Sequence, residues 1–302
     1  MEHLCYFINS RGLLKSCTFH SLNPKSSCKT DSTYLLNMLK SNKMYNGMSI
    51  YVCSDLLKFF VNQILPNIKN TFALVSGDSD LCVPLEALKQ GETLKLLNSP
   101  YLLKWFTQNT RIYNNEKIVQ IPIGLDYHTI SNNPKSIWKQ DGENHLPKFQ
   151  EQILVQIKEK SVPFDKRNLK IYVNFTTTND RFKQRENALE SIPSNLLFIE
   201  SNSFPRTYYW NQIIKYAFVL SPFGVGMDCH RTWEALSLGS IPIICAPHFK
   251  KLFEDLPVLI VNNWSEITEE LLQSTIESFK GKTFNYKKLS LAYWRNKIYT
   301  GI

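Results

Sequence analysis

The 302-residue sequence predicts an α/β fold with parallel sheets, on three observations. Short apolar runs of strand length alternate with stretches long enough for helices, glycine and proline gather at the ends of those runs, and the alternation occurs in two halves. Alternating strands and helices of this length imply parallel sheets, with ligand crevices at the strand C-termini. In the first half, residues 1–45 carry no readable period. Met48-Ser-Ile-Tyr-Val-Cys53 then reads as a strand, 55–64 as a helix, 71–75 as a strand and 117–121 as another. A less hydrophobic stretch over 131–145, rich in Asn, Pro, Lys and Gly, is the linker candidate and puts a domain boundary at 140. The second half, 141–283, repeats the order: strand 169–175, helix 180–192, strand 196–200, helix 206–216, a strand over 218–220, a strand over 256–261 and a helix over 266–279. The tail, 284–302, carries Tyr286, Leu289, Tyr293 and Trp294 at spacings that suit a buried helix face.

Composition bounds the class independently. With 43% hydrophobic and 20% charged residues the chain can bury a sizeable core and has length for two domains. No apolar run approaches the roughly 20 residues that span a bilayer. The start, Met1-Glu-His-Leu-Cys-Tyr-Phe-Ile, is too short and wrongly flanked for a signal peptide. Cys5, Cys17, Cys28, Cys53, Cys82, Cys229 and Cys245 are odd in number and form no CxxC pair. That usage points to a reducing, cytoplasmic setting in which they serve as small core residues. The net charge of +9 favours anionic partners. Its lysines are scattered, and without a clustered basic and aromatic stripe nucleic acid is not the expected one.

The densest chemistry lies in Phe218-Val-Leu-Ser-Pro-Phe-Gly-Val-Gly-Met-Asp-Cys-His-Arg-Thr-Trp-Glu-Ala-Leu-Ser-Leu-Gly-Ser-Ile-Pro-Ile-Ile-Cys245. It reads as strand, glycine loop, helix and strand. Gly224 and Gly226 deliver backbone without bulk to a helix start that Asp228 can cap, and free amides at such a start suit a phosphate. At about 100° per residue His230, Arg231 and Glu234 share roughly a third of the helix circumference, opposite Thr232, Trp233 and Leu236. Arg231 can fork onto phosphate oxygens, and Glu234 can accept from ribose hydroxyls. Alternatively the two form a solvated ion pair worth about 0.2–0.5 kcal/mol.

Ser221 to Ile244, with Arg231, Glu234-Ala235 and Gly239 before Ile241-Pro242, resembles the nucleotide-sugar segment of exostosin-family glycosyltransferases. Val75-Ser-Gly-Asp-Ser-Asp80 with Val83-Pro84, and Ile121-Pro-Ile-Gly-Leu-Asp-Tyr-His-Thr129, resemble an exostosin-like subgroup of large DNA viruses. The resemblance covers about residues 70–265. It implies a GT-B fold, with two Rossmann-like domains facing across a cleft, the donor nucleotide in the second, and the final helix crossing back to the first. It also implies a UDP-sugar donor, of which a xylose donor is one choice, no obligatory metal, inversion, and a glycan or glycoprotein acceptor. Arg231 and Glu234 are then the residues on diphosphate and ribose.

Further donor contacts are expected from Asn174, Thr176, Thr177, Thr178 and Asn179, at a strand end, and from Arg181 and Arg185 one turn apart on the next helix. An ordinary turn and cap explains the threonines equally well. A sugar transfer that inverts needs a base. Asp78 and Asp80, after Gly77, are the first candidates; Asp126 and His128 are the second. The Asp78–Asp80 spacing also imitates a metal-binding DxD pair, or simply a capping turn. A nucleotide-sugar or polyanion binder without turnover, and a GT-B fucosyltransferase of other donor specificity, remain the alternatives.

Overall fold

The computed structural model describes residues 1–21, 31–41, 43–112, 114–133, 136, 138 and 145–300. Cys28 and most of the expected linker lie outside them; the other six cysteines are in no disulfide. The chain divides into two compact units, one of Ile8–Ile123, Gly226–Asp228 and Ser290–Ile302, the other of Met1–Phe7, Gly124–Val225 and Cys229–Leu289.

The first unit holds a four-stranded parallel sheet in the order β1-β2-β3-β4: β1 Met48–Cys53, β2 Phe72–Gly77, β3 Leu102–Thr107 and β4 Ile118–Gln120. Every residue of β1 and β2 is buried, as expected for strands covered on both faces. Ile50, Val52, Leu74 and Trp105 pack with Phe60, Val61 and Ile64 into one core. The helix expected over 55–64 is a succession of one 3-10 turn, one α turn and a wider π turn over Phe60–Ile64, followed by a 3-10 turn containing Pro66. Proline has no amide to continue the ladder, which accounts for the break there. The tail helix Leu291–Thr300 belongs to this unit, with Trp294 buried and the Tyr299 hydroxyl donating to the Ser16 carbonyl at 2.7 Å.

The second unit holds a five-stranded parallel sheet: β5 Asn168–Val173, β6 Leu197–Ile199, β7 Tyr216–Leu220, β8 Ile241–Ile244 and β9 Leu259–Ile260. Its order is β6-β5-β7-β8-β9. Alternate residues of β5 and β6 separate its faces, and the register between β5 and β7 shifts beside Tyr216. Ile171, Val173, Phe218 and Leu220 join the core with Trp264, while Tyr172, Phe198 and Tyr216 stack on the other side, Tyr172 and Tyr216 at 5.4 Å between ring centroids. From β5 the chain steps outward to β6, then returns past β5 to β7 and continues the opposite way. That reversal is a topological switch point, the place where open α/β sheets leave a crevice beyond the strand C-termini. Among the described residues the first sheet has no such reversal.

The division between units differs from the boundary expected at 140. It falls between Ile123 and Gly124, where Gly124 takes a φ of +69°. A polar stretch marks exposure, and here the chain changes its packing partners earlier, inside an apolar run.

Candidate active site

Two arginines strap the switch point from opposite sides. Helix His230–Ser237 follows the loop after β7, and from its first turn the Arg231 Nε donates to Asn174 Oδ1 at 2.5 Å, in the loop after β5. Helix Gln184–Ser191 follows β5, and its Arg185 donates from Nη1 to the Thr176 carbonyl at 2.7 Å and from Nε to the Phe223 carbonyl, after β7, at 3.3 Å. Both guanidinium carbons sit over the Phe175 ring, at 5.3 Å for Arg231 and 5.5 Å for Arg185. Both side chains are half-buried, and among the described residues no carboxylate lies within 4.0 Å of either guanidinium. Burial, helped by the Arg185 charge, holds Arg231 below the ordinary arginine value. Arginine stays charged through such shifts, so two partly desolvated cations face each other with only neutral acceptors between them.

The neighbouring candidates are divided by this geometry. Arg181 is exposed, its guanidinium 5.3 Å from the Phe182 ring. Asp180 accepts from the amides of Gln184, Arg185 and Glu186, so it already occupies the start of that helix. Of the threonines, Thr176 and Thr178 pair through their hydroxyls at 2.9 Å; the Asn179 side chain lies outside the described residues. Ser221 Oγ lies 2.7 Å from Thr232 Oγ1 and ties the β7 loop to the helix that follows; Gly224 is buried in that loop.

The other polar side chains of helix His230–Ser237 face a second cluster. Glu234 does not pair with Arg231; its Oε1 is 3.8 Å from Arg206 Nε. Arg206 also contacts Asp126 Oδ2 at 3.0 Å and Gln150 Oε1 at 3.0 Å, and donates to the Asp126 carbonyl. Asp126 in turn receives the Thr129 amide at 2.9 Å and lies 3.1 Å from His128 Nδ1. Burial alone would raise the Asp126 pKa, yet the charges of His128, Arg206 and His230 outweigh it and hold the carboxyl far below its usual range. A carboxylate so stabilised is a weak proton acceptor at neutral pH, better suited to hold nearby cations than to act as a base. His230 places Nδ1 at 2.7 Å from the Gly124 carbonyl, and its ring centroid is 6.1 Å from that of His128.

At its far end the same helix is fixed by Arg167. Nη2 donates to the Leu238 carbonyl at 3.0 Å, Nη1 to Ser240 Oγ at 2.7 Å and Nε to the Val162 carbonyl at 2.7 Å. Gly239 has a φ of +79°, and a Cβ there would come within 3.0 Å of Arg167 Nη2.

In the unit of the four-stranded sheet, Gly226 approaches the acidic loop so closely that a Cβ would meet Asp80 Oδ1 at 3.0 Å. The helix cap position falls on Cys229 rather than Asp228. Asp228 Oδ2 accepts from the Ile123 amide at 2.7 Å, and its own amide donates to Asn109 Oδ1 at 2.9 Å. Asp78 is buried, with a φ of 57°, and its Oδ2 lies 3.8 Å from the buried Arg11 Nε. Gln108 fills the space a Cβ at Gly77 would need and accepts from the Asp78 amide at 3.0 Å. Asp80 is exposed.

Sequence reasoning missed Arg206, Gln150 and Arg11. None sits in a recognisable pattern, and each acts through tertiary pairing; only the Pro205-Arg206 helix start was visible. Among the described residues no three His, Cys, Asp or Glu side chains converge as metal ligands, and no helix is long and apolar enough to cross a membrane. Comparison of the chain with protein-family models and with curated proteins finds no match.

Proposed function

We propose that the chain is a glycosyltransferase of the GT-B kind, exostosin-like, that moves a sugar from a nucleotide diphosphate donor, UDP-linked, to a glycan hydroxyl with inversion. One observation carries this reading: Arg231 and Arg185 strap the β5/β7 switch point reciprocally, around Phe175, without a carboxylate partner. Desolvating two guanidiniums beside each other is unfavourable unless an anion completes the site. A diphosphate supplies two adjacent anionic groups, and guanidiniums match phosphate oxygens in geometry as well as charge. The same cations stabilise the departing diphosphate as its charge develops, a task that in other transferases falls to a divalent ion. Glu234 and Asn174 are the candidates for ribose and phosphate hydrogen bonds. In this reading the protein works in the cytoplasm, in keeping with six described cysteines that are in no disulfide.

Calorimetry with UDP, followed by turnover of a UDP-sugar panel in excess EDTA, tests the proposal. UDP should bind and turnover should survive chelation. Absence of UDP binding removes the donor site, and activity that EDTA abolishes and manganese restores would make Asp78 and Asp80 metal ligands. UDP binding without transfer to any glycan leaves a nucleotide-sugar binder.

A further inference from the structure

We propose that His230 Nε2 is the group that takes the proton from the acceptor hydroxyl. This rests on the transferase reading above and moves the base away from Asp78 and Asp80. A backbone carbonyl can only accept, so the 2.7 Å contact with Gly124 fixes the proton of neutral His230 on Nδ1. The lone pair is thereby left on Nε2, which makes no hydrogen bond among the described residues.

Around the ring, Asp126 interacts with the imidazoles of His128 and His230, and the His128 ring centroid is 6.1 Å away. Glu234 lies one turn further along the same helix, where it interacts with Arg206 and Arg231. Arg206, from helix Arg206–Ile213, is taken by Asp126, Gln150 and Glu234, and Arg231 turns to Asn174 and Phe175. The Nε2 edge of His230 is therefore the part of the cluster left to meet a hydroxyl.

The reaction produces one charge of each sign, and helix His230–Ser237 presents a place for each. As the hydroxyl oxygen bonds to the anomeric carbon, its proton passes to Nε2. The bond from that carbon to the diphosphate oxygen breaks, and the electron pair leaves with the diphosphate toward Arg231 and Arg185. Nε2 then returns the proton to water. By this assignment His230 is the catalytic residue, and the Gly124 carbonyl positions its ring.

His230→Asn is the decisive variant, because its amide can still donate to the Gly124 carbonyl while no basic nitrogen remains. With UDP-glucose and UDP-xylose as donors, kcat should fall roughly 10²–10⁴-fold, and calorimetric affinity for UDP should stay within about threefold. Imidazole NMR of the full chain with isotope-labelled histidine should find His230 as the Nδ1–H tautomer at about pH 8. Full turnover in His230→Asn overturns the proposal, as does an Nε2–H tautomer, or a loss confined to Asp78→Asn, Asp80→Asn or His128→Gln. Failure of the donor reading is separate: a chain that binds no UDP but keeps the Nδ1–H tautomer has the proton site without the diphosphate site.

Discussion

The loops at the C-terminal edges of the two sheets treat charge in opposite ways. After β2, Asp78 is buried opposite Arg11, and the loop backbone is held by Gln108, so charge there is matched within the protein. After β5 and β7, Arg185 and Arg231 are half-buried with carbonyl and amide oxygens but without a carboxylate. A buried charge with a partner belongs to the fold, and one without a partner awaits a ligand. The difference follows topology: among the described residues the five-stranded sheet reverses direction and the four-stranded sheet does not, and a reversal is where successive loops diverge.

The largest effect should come from the unmatched side. Arg231→Ala is expected to weaken UDP binding roughly tenfold to more than a hundredfold, equivalent to about 1.5–3 kcal/mol for a charged hydrogen bond, while leaving the unfolding midpoint nearly unchanged or raised. Arg185→Ala should act in the same direction and less, since two of its donors are already taken by the carbonyls of Thr176 and Phe223. Calorimetry beside thermal unfolding measures both. Unchanged UDP affinity in both variants would erase the contrast.

The matched side should respond in the complementary way. Asp78→Asn, which tolerates the left-handed backbone about as well as Asp, should cost about 1–3 kcal/mol of stability by leaving Arg11 buried without its countercharge. Denaturant titration would read that loss, and UDP affinity should not move. A variant as stable as the parent would make Asp78 a surface-like group despite its burial.

The smallest effect is on acid stability. The folded Asp126 carboxyl is depressed, so its contribution is full above the ordinary carboxylate value of about 3.9 and is lost as pH falls below it. Asp126→Asn should therefore flatten the decline of stability below about pH 4. An unchanged slope in that window would mean that the Arg206 and His128 contacts do not stabilise the ionised form.

Much of the framework was legible because parallel strands buried on both faces leave continuous apolar runs. Met48–Cys53 was read to the residue, and 169–175, 196–200 and 218–220 to within one or two residues at most ends. β3 was missed because Leu102-Leu-Lys-Trp-Phe-Thr carries a lysine and no β-branched run. Helix Pro147–Glu159 was missed beside the polar stretch that masked its start. In the candidate site, the strand–glycine loop–helix segment was visible, because that succession is local in sequence. The Arg231–Glu234 ion pair was the plausible local alternative, and it does not form: Arg206 takes Glu234 from a helix start 28 residues earlier, a choice that spacing along one helix cannot reveal.

Arg167 has a consequence for how this sequence can drift over generations. Because its three donors hold Val162, Leu238 and Ser240 together, the helix bearing His230 and Arg231 is anchored at its C-terminal end. Val225, in the loop before the other end, is exposed and can be exchanged without moving that anchor, whereas Phe223 beside it is packed against Phe182, His248 and Phe249. Descendants of this chain are free to vary at Val225, while Gly239 stays closed to replacement, since any side chain would both strain the backbone and press against the guanidinium.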